Sequence, residues 1–154
     1  MELEETAAEK GLVIAMVRTN EELRRELQYI EVLSRMTLVT VEKIGESDSV
    51  PLKPSGGLPL AGIRAFGMGH VIGGATIGRD LGLYGADVLN IWSPHASELE
   101  AFAWDVQVGM RSTVLDDSQE DRAQFHRLLQ DADVFFANKR PGYLRQRPRC
   151  RSAL

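Results

Sequence analysis

Glycines are concentrated in one short stretch, where they would let the backbone approach a ligand closely. Residues 67–74 (GMGHVIGG) have glycine at positions 67, 69, 73 and 74, between a predicted strand and a predicted helix. Backbone N–H groups at a helix start attract anions such as phosphate. The dinucleotide pattern G-x-G-x-x-G is not met, because Ile72 stands at its third glycine. The stretch therefore predicts an anion site, unless its glycines serve only tight turning and helix packing.

A basic loop follows the last predicted strand. Residues 138–142 (NKRPG) place Lys139 and Arg140 directly after it. Because the carboxyl ends of parallel strands meet at one edge, these cations should face the glycine turn. Such a crevice would suit a phosphorylated ligand, although Arg140 as a plain surface charge remains an alternative. Residues 91–94 (IWSP) lack the acid that binds a ribose in NAD or FAD sites, which disfavours those cofactors.

The other chemically capable residues are less informative. His70 could act as a general base or could simply hydrogen-bond the backbone of its turn. The paired carboxylates Asp116 and Asp117 precede a predicted helix, where a favourable position in the helix dipole is the preferred interpretation over acid–base catalysis. Three further residues show no metal-ligand spacing, so we expect no metal site: His95, His126 and Cys150.

Alternating strands and helices must position these residues. The pattern predicts strands at 62–68, 87–92, 112–115 and 133–137, with helices at 75–84 and about 99–106 and a third from Ser118, which Asp121 helps to cap. Gly85 is the expected end of the first of these helices. The predicted fold is α/β, an incomplete, doubly wound parallel sheet with Rossmann-like order over residues 59–144.

The residues before this sheet read as a smaller piece. Residues 1–45 predict a partial β-α-β segment, with strands at 11–18 (GLVIAMVR) and 37–44 (TLVTVEKI). Between them, Thr19 and Glu22 have capping-box spacing for a helix that runs to about Leu27. Residues 46–58, rich in proline, glycine and serine, predict a linker, and residues 145–154 form a basic tail.

Composition is that of an average globular domain. The chain has 154 residues, of which 44% are hydrophobic and 26% are charged. It lacks a run of about 18 apolar residues, and its acidic start is unlike a secretory signal, so a cytoplasmic location without a membrane partner is expected. No acidic residue follows Asp133, but we interpret the basic tail as a solvated terminus and expect no nucleic-acid partner.

Five short motifs follow one another in the order and spacing of a known family. They are residues 58–64 (LPLAGIR), 70–74 (HVIGG), 84–88 (YGADV), 111–116 (RSTVLD) and 132–142 (ADVFFANKRPG). Together they resemble the family III CoA-transferases, the CaiB/BaiF group. Residues 11–44 also resemble the segment that, in longer members of this family, closes one transferase unit just before the next unit begins.

The resemblance implies an enzyme that moves coenzyme A between an acyl-CoA and a carboxylic acid, and a homodimer in full-length members. It implies that coenzyme A, chiefly its adenine nucleotide, is held at the matched positions, namely Val71, Ile72, Gly73, Leu115, Asp116, Asn138, Lys139 and Arg140. The family's catalytic aspartate, which forms an acyl anhydride and then a CoA thioester, is expected beyond Leu144. This chain is therefore expected to be a coenzyme-binding fragment, inactive alone.

Several residues depart from the family pattern. Ala75 replaces a proline in the turn, and Asn90 and Trp92 replace a charged pair usual in the second strand. Gly109 and Met110 replace an Asn-Lys pair, and Gln146 stands where an arginine is expected. The alternative function is a non-catalytic nucleotide-binding or assembly module, and an oxidoreductase is the least favoured reading.

Overall fold

The structure is a computed structural model that describes residues 2–48, 51, 57–97, 99–140 and 142–146. The chain divides into two compact units, Met1–Asp48 and Ser49–Leu154. Most of the predicted linker and the tail from residue 147 onward lie outside the described residues. Among the described residues, no helix is long and apolar enough to cross a membrane.

The first unit is built from short helices. These are α1 (Glu2–Glu9), α2 (Asn20–Leu23), α3 (Leu27–Glu31) and a 3-10 turn (Leu33–Arg35). The predicted capping box is confirmed, because the backbone N–H of Glu22 donates to the Thr19 hydroxyl and the Glu22 carboxylate accepts from the Thr19 N–H. The helix ends at Leu23, earlier than the predicted Leu27, where a separate helix begins instead.

The two predicted strands of this unit are wrong. Residues 11–18 and 37–44 carry no strand, and their apolar side chains are largely exposed, with Val17 at 97% and Val41 at 93%. A strand requires a neighbour that accepts its backbone hydrogen bonds. Neither segment pairs with the other in this unit, so an apolar run of strand length remains without regular structure.

Arg18 holds the chain after α1 through two carboxylates. Its guanidinium donates to Glu4 in a bidentate pair at 2.7 and 2.8 Å, and to Glu26 at 2.8 Å. Glu4 also accepts from the backbone N–H of Met16. The Arg18 hydrogen bonds, followed by the Met16 N–H, lower the pKa of the Glu4 carboxyl to about 2.

An NMR titration of the Glu4 side-chain carboxyl should therefore show a pKa of about 2, well below its ordinary value of 4.5. Because the folded-state pKa is depressed, the stabilisation from this pair is present above about pH 4.5 and is lost as the pH falls from there towards 2. Arg18→Gln should return the Glu4 pKa towards its ordinary value. An ordinary Glu4 pKa in the unmutated chain would contradict the ion pair.

The second unit contains the predicted sheet. Its strands are β1 (Arg64–Met68), β2 (Asp87–Trp92), β3 (Arg111–Val114) and β4 (Val134–Ala137). All are parallel, in the order β3-β2-β1-β4. Each lies within two residues of its predicted bounds, and the parallel, Rossmann-like sheet is confirmed.

Helices cover both faces of this sheet. On one face α4 (Gly73–Leu83) packs against β1, β2 and β4 and also contacts α5 (Glu100–Val106). On the other, α6 (Gln119–Gln130) inserts Phe125 against Phe66, Met68, Ile91 and Leu115. A final short helix, α7, spans Tyr143–Gln146. The chain crosses to the second face because β4 returns to the far side of β1, which reverses the direction of winding.

Local signals fix the ends of these helices as predicted. The Ser118 hydroxyl accepts from the N–H of Asp121 at 3.1 Å and caps α6. After α4, Gly85 has a φ of +100°, and the Gly85 and Ala86 N–H groups donate back to Gly82 and Leu81. This is the hydrogen-bond pattern of a glycine-terminated helix, and it turns the chain directly into β2.

Candidate functional site

The order of the strands defines where a ligand would bind. The chain winds from β1 to β3 in one direction and then returns to place β4 on the other side of β1. In open parallel sheets, ligands bind at the carboxyl edge where the winding direction reverses. Here that point lies between the turn after β1 and the loop after β4, which are the glycine turn and the basic loop singled out from the sequence.

An open depression of about 620 Å³ lies at this point and is called the crevice below. Its lining residues come from the two segments and from α7: His70, Val71, Asn138, Lys139, Arg140 and Tyr143. A smaller hollow of about 180 Å³ adjoins it towards the end of β2 and shares His70, Lys139 and Tyr143. The hollow also contains Trp92 and Ser93, so aromatic and polar groups lie beside the basic crevice.

Asn138 ties the two walls of the crevice together. Its Oδ1 accepts from the His70 N–H at 3.0 Å, and its Nδ2 donates to the His70 carbonyl at 2.9 Å. A Cβ on Gly74 would lie 2.2 Å from the Asn138 Oδ1, so this glycine is required by a close approach. Asn138 therefore holds the turn in place through both of its side-chain groups.

Asn90 makes the matching contact from the other side of β1, a role that was not predicted from the sequence. It is fully buried, its Oδ1 accepts from the Gly69 N–H at 2.8 Å, and its Nδ2 donates to the Gly69 carbonyl at 3.0 Å. A third, longer contact joins its Nδ2 to Gln107 at 3.4 Å. The available signal was an asparagine inside the apolar run DVLNIW of β2.

The residue that follows these two contacts is strained. Val71 has a φ of +55°, a left-handed conformation that β-branched residues rarely adopt. Such a conformation costs about 1–3 kcal/mol and persists only where the surrounding structure enforces it. The two preceding residues, Gly69 and His70, are held by hydrogen bonds from Asn90 and Asn138, and backbone strain of this kind is common at ligand-binding turns.

The crevice presents groups suited to an anion. Gly73 begins α4, with a half-exposed Ile72 at its N-cap, and a Cβ on Gly73 would meet nothing within 4 Å. Within the described residues, no side chain caps the start of this helix, and the first N–H groups of a helix have no partner within the helix, which favours an anion at this position. Lys139 lies with its Nζ 5.6 Å from the centre of the Tyr143 ring, and Arg140 is exposed on the crevice wall.

Leu115 and Asp116 lie at the same edge of the sheet but line neither the crevice nor the hollow. The Leu115 side chain is 5% exposed and belongs to the core against α6. Asp116 accepts from the Ser118 N–H at 2.6 Å, and its own N–H donates to Asp121 at 2.9 Å. The structure thus gives Asp116 a local role at the start of α6.

The remaining candidates are spread over the unit. The His70 ring lies 6.0 Å from the Trp92 ring, and His95 lines the hollow beside it. Asp133 lies at the opposite, amino edge, where its Oδ2 accepts from the Arg64 N–H. Within the described part of the chain, no three His, Cys, Asp or Glu residues are grouped as metal ligands, and Cys150 lies outside that part.

Comparison with known proteins decides the family. The family model of CoA-transferase family III matches residues 60–148, which include the whole sheet and both walls of the crevice. The chain belongs to this family. Among the curated relatives of this chain, an acetyl-coenzyme A transferase of Hypoxylon pulicicidum is 33% identical over 89 residues, which is 57% of this chain. A probable CoA-transferase of Mycobacterium tuberculosis is 30% identical in an alignment of 113 residues that covers 64% of this chain.

Solved structures agree with the CoA-transferase assignment. A CAIB/BAIF family protein from Brucella suis is 27% identical, with a TM-score of 0.53 over 58% of this chain. This chain corresponds to 28% of the length of that protein, and to 15% and 14% of the two curated relatives. It therefore spans a minor part of each of the proteins that it resembles.

Proposed function

We propose that this chain forms the coenzyme A-binding part of a family III CoA-transferase, which moves coenzyme A from an acyl-CoA to a carboxylic acid. The observation that supports this proposal is the family match over residues 60–148, which covers the point of reversal in the sheet. The basic loop, the helix start and the constrained turn meet at that point. Their combined chemistry suits a nucleotide with several phosphates.

Each wall of the crevice has a distinct part in this proposal. The backbone of Val71, Ile72 and Gly73 would approach the phosphates at the start of α4, and Lys139 and Arg140 would neutralise their charge. Asn138 would act on the ligand mainly by holding the turn, because both of its side-chain groups contact His70.

Leu115 and Asp116 would lie at the adenine end of coenzyme A. They follow β3, which lies two strands from β1 in the sheet. Neighbouring parallel strands are about 4.8 Å apart, so the distance across is about 10 Å, within the length of a nucleotide. The Leu115 side chain is buried, its N–H donates to the Trp92 carbonyl, and the Asp116 carboxylate and N–H are both bonded at the start of α6, so this assignment is supported by the family resemblance and by the position of the two residues at this edge.

Calorimetry on the purified chain tests the ligand. Coenzyme A should bind more tightly than NAD, because the end of β2 lacks the acid that a dinucleotide ribose requires, and ATP tests whether the crevice accepts any nucleotide with several phosphates. A preference for NAD would contradict the proposal. Absence of binding to all three nucleotides would favour an assembly module that retains only the fold.

Arg140→Ala should weaken coenzyme A binding by about tenfold, the effect of losing one charge-assisted hydrogen bond. Arg127→Ala is the matched control, because Arg127 lies in the last turn of α6, a helix that leads back to the amino edge of the sheet. Calorimetric titration of both variants separates a local contact from a general charge effect. Equal affinities in the two variants would show that Arg140 is only a surface charge.

The transfer reaction is proposed for the longer enzymes and not for this chain assayed alone. In the family that the chain resembles, the nucleophile is expected to be an aspartate that follows the matched segment, and this chain spans a minor part of its longer relatives. Asp133 cannot substitute, because it bonds to Arg64 at the amino edge. Incubation with an acyl-CoA and acceptor carboxylic acids should therefore give no transfer, and sustained turnover would contradict this. Light scattering tests the homodimer that the family relationship suggests.

A further inference from the structure

The β1 strand ends at Met68, yet the N–H and carbonyl groups of the next two residues, Gly69 and His70, are still hydrogen-bonded, as they would be in a central strand. Within the sheet, Gly67 is level with Asn90 of β2, and Met68 is level with Ala137 of β4. Beyond these positions the neighbouring backbones no longer pair with β1. The amide of Asn90 reaches forward to both polar groups of Gly69, and the amide of Asn138 does the same for His70.

We propose that Asn90 is a positioning residue that holds the turn after β1 in its ligand-binding conformation. The proposal rests on the proposed function, because it assigns Asn90 a part in presenting that turn to coenzyme A. Asn90 is hydrogen-bonded to Gly69, the residue before the lining residues His70 and Val71, so its action on the ligand is indirect. Asn90 hydrogen-bonds the turn from the β2 side, and Asn138 hydrogen-bonds it from the β4 side.

Because position 90 is buried, its side chain must both donate a hydrogen bond to Gly69 and accept one from it, as an amide does. At 0% exposure the Asn90 side chain has no solvent to satisfy its polar groups, and it forms hydrogen bonds to Gly69 and Gln107 instead. An apolar residue of the same size would leave the Gly69 N–H and carbonyl without partners inside the protein. The turn would then move so that these Gly69 groups reach water or another partner. Movement is expected because Gly69 is the first residue of the turn and Val71 is already strained.

The affinity for coenzyme A depends on the fraction of time that the turn spends in its binding-competent conformation. If the turn spends only about a tenth of its time in the competent conformation, the apparent dissociation constant rises about tenfold. Asn90→Leu should therefore weaken coenzyme A binding by about that factor. Val88→Ala is the matched control, since Val88 is 2% exposed and packs on the same sheet face two residues earlier in β2. It should lose stability but keep the affinity of the unmutated chain.

A measurement on the ligand-free chain keeps this inference separate from the proposed function. In Asn90→Leu, backbone amide exchange should accelerate at Gly69 and His70 while β2 remains protected. The three-bond HN–Hα coupling of Val71 should also change, because its φ of +55° is no longer enforced. These readouts test Asn90 even if the unmutated chain binds no coenzyme A, an outcome that would reject only the proposed function.

Asn90→Ala provides a second variant if Asn90→Leu does not fold. The smaller side chain leaves space in which water can satisfy Gly69, so the sheet should form while the turn loosens. Faster exchange at Gly69, a changed Val71 coupling and weaker binding would support the positioning role. Gly69 protection and Val71 coupling equal to those of the unmutated chain, in either folded variant, would overturn it.

Discussion

Replacing Phe125 by alanine should lower the free energy of unfolding of the second unit by about 3–5 kcal/mol. Phe125 is 1% exposed and lies between α6 and the sheet, with its ring 5.2 Å from Phe66 and 6.3 Å from Phe135. A domain of this size is stable by only about 5–15 kcal/mol in total, so the loss would consume a large part of that margin. Urea unfolding followed by circular dichroism measures the change.

Phe102→Ala is the matched control for this substitution. Phe102 lies on α5 and is 39% exposed, so its truncation removes less buried apolar surface and should cost clearly less than Phe125→Ala. Phe125→Leu should fall between the two, because leucine fills part of the space left by the ring. Similar losses for Phe125→Ala and Phe102→Ala would contradict the position of α6 on the sheet.

Gly74→Ala should destabilise the protein by about 1–3 kcal/mol, although alanine normally favours a helix over glycine. The added Cβ would lie 2.2 Å from the Asn138 Oδ1 and 2.8 Å from the Gly69 Cα, so both the asparagine contact and the turn must shift. Coenzyme A binding should weaken with stability, because the same contact holds His70. Thermal unfolding and calorimetry report the two effects.

Gly73→Ala, one residue earlier, reverses the expected sign for stability. Its Cβ would meet nothing within 4 Å, and Gly73 does not have a positive φ. Reduced freedom of the unfolded chain should then stabilise the fold by about 0.4–1 kcal/mol. Equal effects of the two alanines on the unfolding temperature would show that space at Gly74 is not limiting.

The sheet of the second unit was predictable because its signals are local. Short apolar runs such as DVLNIW lie between capped helices, and Ser118 and Gly85 mark a helix start and a helix end by chemistry that acts within a few residues. The alternation of strands and helices then permits few topologies, because crossovers in parallel sheets are right-handed. The observed order β3-β2-β1-β4 is one of them.

The first unit shows where the same reasoning fails. Residues 11–18 and 37–44 have the composition of strands, yet neither forms one. A strand is stabilised by hydrogen bonds to a neighbour, which the apolar pattern of a segment does not specify. The capping box at Thr19 was predicted correctly in the same unit, because its partners lie within three residues.

Part of the candidate site could likewise be predicted from the sequence, and part could not. The glycine turn and the basic loop were located from the sequence, and the fold brings them together around the crevice. Leu115 and Asp116 reach the same edge of the sheet but not this crevice. Asn90 was noted only as a departure from the family pattern, since its importance depends on the position of Gly69, 21 residues earlier in the chain.

Residue types and their spacing therefore identify the family, the alternation of elements, the helix caps and the segments that meet at the crevice. Those properties depend on residue order and on contacts between near neighbours. Three other properties became apparent only in the folded chain. Asn90 and Asn138 hydrogen-bond successive residues of one turn, Gly74 has no room for a side chain, and the N-terminal apolar runs do not pair as strands. Those properties depend on which distant groups come within hydrogen-bond or van der Waals distance, and a linear pattern does not encode those distances.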